Sequence, residues 1–383
     1  MFNNILKFAQ EKSEYLYKNS LFLQHIDKLI LVSIISVFFA STVMSSDVIG
    51  FIALITVFLT VIKILTKPGE RLSSQTFELW LLAYFMIVII SLAGSTLFHL
   101  SLKGFLKTFT YLGFYFSLVQ YLKNNKSKIP LMLASIAGIP AVYGLAAYFL
   151  TDKKYKFASV SLALALLATI TLFLTGCRGS YIGMMVIITG MFAVSAKYLW
   201  QNYKKIYLSV VGGVVAFATA ALLLVSSLRA RVLSIFAMRQ DSSNSFRFNV
   251  YHSSVEMFKD NWLLGIGVGN QNFREIYGLY MKTGFDALSA YNIFLEIGVE
   301  SGVFALIAFV GFLITLIKNS VNFILKSAET KDVIIVSAAL ISICAVSIHG
   351  LVDTVFFRPQ IQFIFWTMAA IAGTMISTRD SHL

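Results

Sequence analysis

The stretch LILVSIISVFFASTVMSSDVIGFIALITVFLTVIKIL, Leu29 to Leu65, decides the fold. It contains two apolar runs, 29–45 and 48–65, separated by Ser45, Ser46 and Asp47. A helix of about 20 apolar residues crosses about 30 Å of hydrocarbon. Inside lipid every backbone N–H and C=O must be satisfied within the chain, which favours the helix. The stretch therefore reads as a tight pair of membrane-crossing helices.

Working outward, further apolar runs lie at about 79–98, 104–122, 129–150, 157–176, 181–198, 206–228, 302–317, 333–348 and 360–377. Composition agrees: 58% of the residues are hydrophobic, 13% are charged, and mean hydropathy is +0.79. A soluble domain carries about 25% charged residues. The expected fold is all-α, a polytopic integral membrane helical bundle of about 11 spans with one long extracytoplasmic loop. The expected divisions are a cytoplasmic amphipathic N-terminus at 1–28, transmembrane helices at 29–228, a long extracytoplasmic loop at 229–301, transmembrane helices at 302–377 and a cytoplasmic tail at 378–383. Residues 1–28 lack the short apolar core and small-residue cleavage site of a signal peptide.

The net charge of +13 follows from topology rather than from a nucleic-acid partner. Cytoplasmic loops collect Lys and Arg. With the amino terminus inside, Lys63, Lys67 and Arg71 are cytoplasmic, and so are Lys123, Lys126 and Lys128. Strict alternation then puts Lys153, Lys154, Lys156 and every later basic cluster outside. One change of parity between 129 and 156 restores them all. Either the fifth run fails to cross, or a span is missing there. Pro130 and Pro140 make that run the one expected to break. Both termini are then cytoplasmic, and 229–300 and 349–359 lie outside.

Three places carry candidate chemistry. Segment 229–300 holds seven basic and seven acidic residues, too polar to span and too rich in apolar side chains to be plain disorder. Long ordered loops usually carry function. Within it, 247–258 fits one amphipathic helix, and Gly265, Gly267 and Gly269 suit a tight turn that points N–H groups at an anion. Arg178, in Thr175-Gly-Cys-Arg-Gly-Ser180, interrupts two apolar helices with a permanent charge. Its fork suits phosphate, diphosphate or carboxylate, or it snorkels to the headgroups. The third place is His349, Asp353 and Arg358 at the edge of two spans. There Asp353 either pairs with Arg358 or meets substrate, and His349 is a ligand, a proton carrier or neither. Cys177 and Cys344 have no metal spacing, so no metal and no cofactor is expected.

These motifs together resemble the O-antigen ligase and polymerase superfamily of bacterial membrane proteins. Thr175-Gly-Cys-Arg178-Gly is similar to its T-x-S-R-G. Arg247-Phe-Asn-Val-Tyr251 with Leu264-Gly-Ile-Gly-Val-Gly-Asn270 is similar to its R-x3-W and L-G-x-G-x-G-N. Tyr291-Asn292, nine residues, then Gly302 is similar to its H-[NSQ]-x9-G. Segments 287–296 and 349–360 resemble the cyanobacterial-type branch labelled as inorganic carbon transporters.

The resemblance implies a GT-C-like glycosyltransferase of the bacterial inner membrane. It would move a glycan, without a metal, from undecaprenyl diphosphate to an acceptor glycan or protein at the extracytoplasmic face, with membrane lipid as its surroundings. Arg178 and Arg247 would hold the diphosphate with Gly267, Gly269 and Asn270. The family's histidine falls on Tyr291, a poor base with a reference pKa near ~10. Tyr291, His252 and Glu296 are therefore the candidate catalytic residues, and Asn292 accompanies them. A bicarbonate or small-anion transporter and a non-catalytic accessory subunit are the alternatives.

Overall fold

The computed structural model describes residues 2–72, 75 and 77–380, and every regular element among them is helical. Met1, in the expected N-terminal segment, and residues 381–383, in the expected tail, lie outside the described residues. The chain opens with α1 (Phe2–Asn19) and the single turn α2 (Leu21–Gln24). The first hairpin is α3 (Ile26–Val43) and α4 (Ser46–Thr66), followed by α5 (Glu78–Gly94) and α6 (Phe98–Leu122). Next come α7 (Ile129–Ile136), α8 (Ile139–Thr151), α9 (Tyr155–Leu174), α10 (Arg178–Leu199) and α11 (Lys204–Leu224). The polar segment forms α12 (Ser226–Ile235), α13 (Ser242–Asp260) and α14 (Asn270–Tyr277). The last three helices are α15 (Ile293–Lys326), α16 (Thr330–His349) and α17 (Pro359–Asp380).

Among the described residues, eight helices are long and apolar enough to cross a membrane: α3, α4, α9, α10, α11 and α15 to α17. That is fewer than the eleven apolar runs, because length and charge set α5, α6 and the broken fifth run apart. The outer helices show what solvent they need. α11 buries none of its residues, and its Phe217 and Leu224 are 76% and 83% exposed. Apolar surface on that scale is stable against lipid and not against water. The protein is a multi-pass membrane protein.

Polar contacts fix which helix ends lie together. Asp27 at the start of α3 pairs with Lys63 and Lys67 at the end of α4, at 2.8 and 2.9 Å. Gln120 near the end of α6 donates to the Arg71 carbonyl. Lys197 near the end of α10 donates to the Ser327 carbonyl, just past α15, at 2.9 Å. Lys331 at the start of α16 pairs with Asp152, after α8. Basic clusters from all along the chain thus collect at one end of the bundle. At the other end Ser91 of α5 and Ser95, just past it, donate to the carbonyls of Glu300 and Ile266, at 2.8 and 2.9 Å. α5 and α6 therefore run end to end with the longer helices.

The fifth run enters and returns without crossing. α7 stops at Ile136, Ala137 turns left-handed (φ 50), and Pro140 sits in the first turn of α8. A proline ring collides with the carbonyl four residues earlier, here that of Ile136, so one straight helix cannot pass. On one side of the run Lys126 lies in the field of Asp332, and on the other Asp152 pairs with Lys331. Both flanks therefore rest against the start of α16. The two ends of the run thus lie together, the arrangement that the first explanation for the parity change requires.

Segment 229–301, expected as a loop, is a folded layer with a core of its own. Val250 and Met257 of α13 pack with Ile266, Phe273, Tyr277 and Val299. Its seam to the bundle is backbone on backbone. Gly302 (φ 79, ψ 177) interrupts α15, and the Val303 N–H donates to the Trp262 carbonyl at 2.8 Å. A Cβ at 302 would overlap the Leu263 carbonyl. On the other side, a Cβ on Gly104 of α6 would overlap Val268.

We propose that the basic end is cytoplasmic. Cysteine introduced at Lys259 should then react with an impermeant maleimide added to intact cells, and cysteine at Tyr155 should not. Both side chains are exposed, so access is set by membrane side. Labelling of Tyr155→Cys from outside would overturn the orientation.

Candidate active site at the polar end of the bundle

Arg178 is the first residue of α10, placed there because Gly176 (φ 66) reverses the chain after α9. Its guanidinium donates to Asp241 Oδ1 at 2.8 Å and to the Ser234 carbonyl and hydroxyl at 3.1 Å. The charge holds the Asp241 carboxyl below its usual range. Asp241 also caps α13, accepting from the Asn244 N–H at 3.0 Å. One carboxylate thereby sets the position of both Arg178 and the helix that carries Arg247. Sequence reasoning missed Asp241, although Asp-Ser-Ser-Asn before an amphipathic run is an N-cap signal.

Arg247 lies two turns into α13. It donates to Ser243 Oγ at 2.7 Å and faces Asp353 Oδ2 at 3.9 Å, and its Nε is buried with no acceptor. The two arginines, distant in sequence, line one cavity of about 240 Å³ with Asn244, Phe248 and Tyr251. Their side chains are 14% and 19% exposed. Charge so shielded from water attracts an anion more strongly than it would at a surface.

Tyr291 sits beside this cavity. Its backbone is left-handed (φ 52), and Tyr251 Oη lies 3.3 Å from its carbonyl. Burial pushes its phenol up and Asp353 adds to that, with Arg247 opposing. The phenol therefore stays neutral and can donate a hydrogen bond. Asn292 caps α15, its Oδ1 accepting from the Phe294 and Leu295 N–H groups at 3.0 and 3.1 Å. The Tyr291-Asn292-x9-Gly302 spacing thus has a local meaning: a cap at one end of the segment and a backbone crossing at the other.

Asp353 gathers the third group. His349 Nε2 lies 3.6 Å from its Oδ2, Cys177 Sγ lies 3.9 Å away, and its other oxygen accepts from the Thr354 N–H at 2.8 Å. Burial alone would raise its carboxyl, but the His349 contact, the Thr354 N–H and Arg247 hold it low. The expected Asp353–Arg358 pairing does not form among the described residues, and Arg358 points to solvent.

Five expected site residues lie elsewhere. Gly267 and Gly269 present no free amide to an anion. Their N–H groups donate to the carbonyl and the carboxylate of Glu300, both at 2.9 Å. All three glycines of the turn have positive φ, which serves close docking onto α5, α6 and α15. Asn270 and Glu296 line a second, inner cavity of about 90 Å³ with Lys107 and Glu300, apart from the arginines. His252 is exposed on α13 and lies near Glu256.

Residues 162–310 match the O-antigen ligase family. That match supports the resemblance to the O-antigen ligase and polymerase superfamily. No curated protein matches it. The matched ligase segment contains Arg178, Arg247, Tyr291 and Gly302. His349, Asp353 and Arg358 lie beyond it, and the fold alone brings the first two to the arginines.

The docking seam makes a direct prediction. Gly302→Ala should lower the melting temperature in detergent more than Gly284→Ala does. Both positions have positive φ, which costs a non-glycine residue about 1–3 kcal/mol, but only 302 also meets a facing backbone. Equal losses would mean that the crossing at Leu263 adds nothing.

Proposed function

We propose that this protein is an O-antigen ligase-type glycosyltransferase of the bacterial inner membrane, working at the extracytoplasmic end of the bundle. Its donor would be a glycan on a polyprenyl diphosphate such as undecaprenyl diphosphate, and its acceptor a glycan or protein. One observation carries the reading. Inside the segment that matches the ligase family, Arg178 and Arg247 line a single cavity, each on a different helix of the polar layer and bundle.

The chemistry follows from charge. As the glycosidic bond to the diphosphate breaks, the leaving group gains negative charge. Guanidiniums already held in place by Asp241, Ser234 and Ser243 would stabilise that charge without reorganising. Such a contact, stronger in the transition state than in the ground state, raises the rate rather than only the affinity. Arg247 Nε, buried without an acceptor, is a donor that a phosphate oxygen would satisfy. Tyr291 would orient an oxygen of donor or acceptor by hydrogen bond. A small-anion transporter is less well supported. The broken pair α7–α8, where a midplane site would be sought, contributes no residue to either cavity.

The assay is glycan transfer from purified polyprenyl-diphosphate glycan in proteoliposomes. Arg178→Ala and Arg247→Ala should abolish it. Lysine at either position should restore it only partly, because the charge returns without the bidentate fork. Bicarbonate uptake with no transfer, lost in Arg178→Ala, would install the transporter in place of the ligase.

Tyr291 is tested in the same vesicles. Tyr291→Phe should slow transfer by a modest factor, the ~0.5–1.5 kcal/mol of one neutral hydrogen bond. Tyr291→His should keep transfer near wild type or raise it. A complete loss in Tyr291→Phe would mean that the phenol takes part in proton transfer after all.

A further inference from the structure

Two departures from the family's sequence pattern stand at the arginine cavity. At 291 an imidazole is replaced by a phenol. At 177 the serine of T-x-S-R-G is replaced by a cysteine, and the fold sets that thiol against His349 and Asp353. We propose that Cys177, His349 and Asp353 bind a divalent, zinc-like cation at the wall of this cavity.

The geometry is the first support. One ligand atom from each of the three residues lies within 4.8 Å of the other two. His349 Nε2 and Cys177 Sγ are 3.6 and 3.9 Å from the same oxygen, Asp353 Oδ2. An N–H···O hydrogen bond spans about 2.7–3.2 Å, so the His349–Asp353 approach is too long for one. Zinc bonds of about 2.0–2.3 Å in a tetrahedron hold their ligand atoms about 3.3–3.8 Å apart. The observed separations are close to tetrahedral edges and need only a slight contraction around an ion.

The surroundings are the second support. His349 Nε2 is buried and has no hydrogen-bond partner. The Thr354 N–H occupies Asp353 Oδ1, which fixes the carboxylate and leaves Oδ2 turned to the cluster. Cys177 caps the amino-terminal end of α10, where the helix dipole favours a thiolate. Gly179, two residues on, leaves space for the imidazole: a Cβ there would overlap His349 Cδ2 and Nε2. Sulfur, nitrogen and oxygen donors from three residues, with a fourth position open, form the ligand set of catalytic zinc sites. Gly179 and Arg247 border both the cluster and the cavity, so the cluster adjoins the proposed diphosphate site. This departs from the metal-free chemistry that the resemblance implies. What the ion would do for transfer rests on the ligase reading, whereas its binding does not.

The test uses the full-length protein in detergent, stripped with chelator and titrated with Co²⁺. One equivalent should bind, with the tetrahedral visible bands and near-ultraviolet thiolate charge-transfer band of a sulfur-ligated cobalt ion, and Zn²⁺ should displace it. Cys177→Ser should remove the charge-transfer band. His349→Ala and Asp353→Asn should each weaken affinity at least about 10-fold, the loss that even an outer-shell change produces. Cys344→Ser should leave the spectrum unchanged, and so should Arg178→Ala, which the ligase reading says abolishes transfer. Melting temperatures of the variants separate ligand loss from unfolding. No saturable cobalt spectrum, or a charge-transfer band that survives Cys177→Ser, would overturn the site. Cobalt binding in a protein that transfers no glycan would leave the site standing and remove the ligase reading.

Discussion

The contact on which the polar end depends is the backbone crossing at Gly302. There α15 opens, and the Trp262 carbonyl takes the Val303 N–H. The contact is possible only because residue 302 has no Cβ and tolerates φ 79. The glycines at 265, 267 and 269 make the reciprocal approach from the loop, against α5, α6 and α15. The polar layer has a small core of its own around Val250, Met257 and Phe273, and the seam ties that core to the bundle. Satisfying its backbone against bundle helices costs little ordering beyond that of helices already held by lipid, and it fixes where α13 runs.

From that seam the arginine cavity follows. α13 carries Arg247 and is capped by Asp241, which also holds Arg178. α15 follows Tyr291 and its cap Asn292, whose side chain reaches the Leu351 carbonyl at 3.2 Å. The Ile293 N–H donates to the Gly350 carbonyl at 2.8 Å. Through these bonds the segment after α16 is tied to the same place, and His349 and Asp353 come with it. Each charged group has an opposite charge or a hydrogen bond to position it. Both arginines line the cavity, and Arg247 Nε is buried there without an acceptor, which suits a site for a polyanion.

At the opposite end, Lys63 is fully buried between Asp27 and Glu70. A lone lysine there would be costly, since an unpaired buried charge loses its hydration without return. Ion pairing between α3, α4 and the turn after α4 is therefore a condition for that hairpin. The re-entrant pair α7–α8 completes the same end. Both of its flanks lie against the start of α16, where Asp152 pairs with Lys331.

The sequence by itself determined the solvent, the secondary structure and most of the helix positions, because hydrocarbon leaves the backbone only one local solution. It also located the break near Pro140, since the proline ring acts on its own neighbours. The arginines were legible as misplaced charges, and Tyr291 as a departure from a motif. Their convergence was not legible, because it depends on where α13 lies against α10. Nor was the role of Gly267 and Gly269, whose spacing looks alike whether their amides face an anion or Glu300. His252 and Glu296 were reasonable candidates from residue type, but helix rotation put one in solvent and the other in the inner cavity. Only the tertiary structure decided which ionisable groups share the site, because partners such as Cys177, His349 and Asp353 meet through the packing of α10 against α16. That packing turns on the absence of a Cβ at Gly179, and nothing local to either segment announces it.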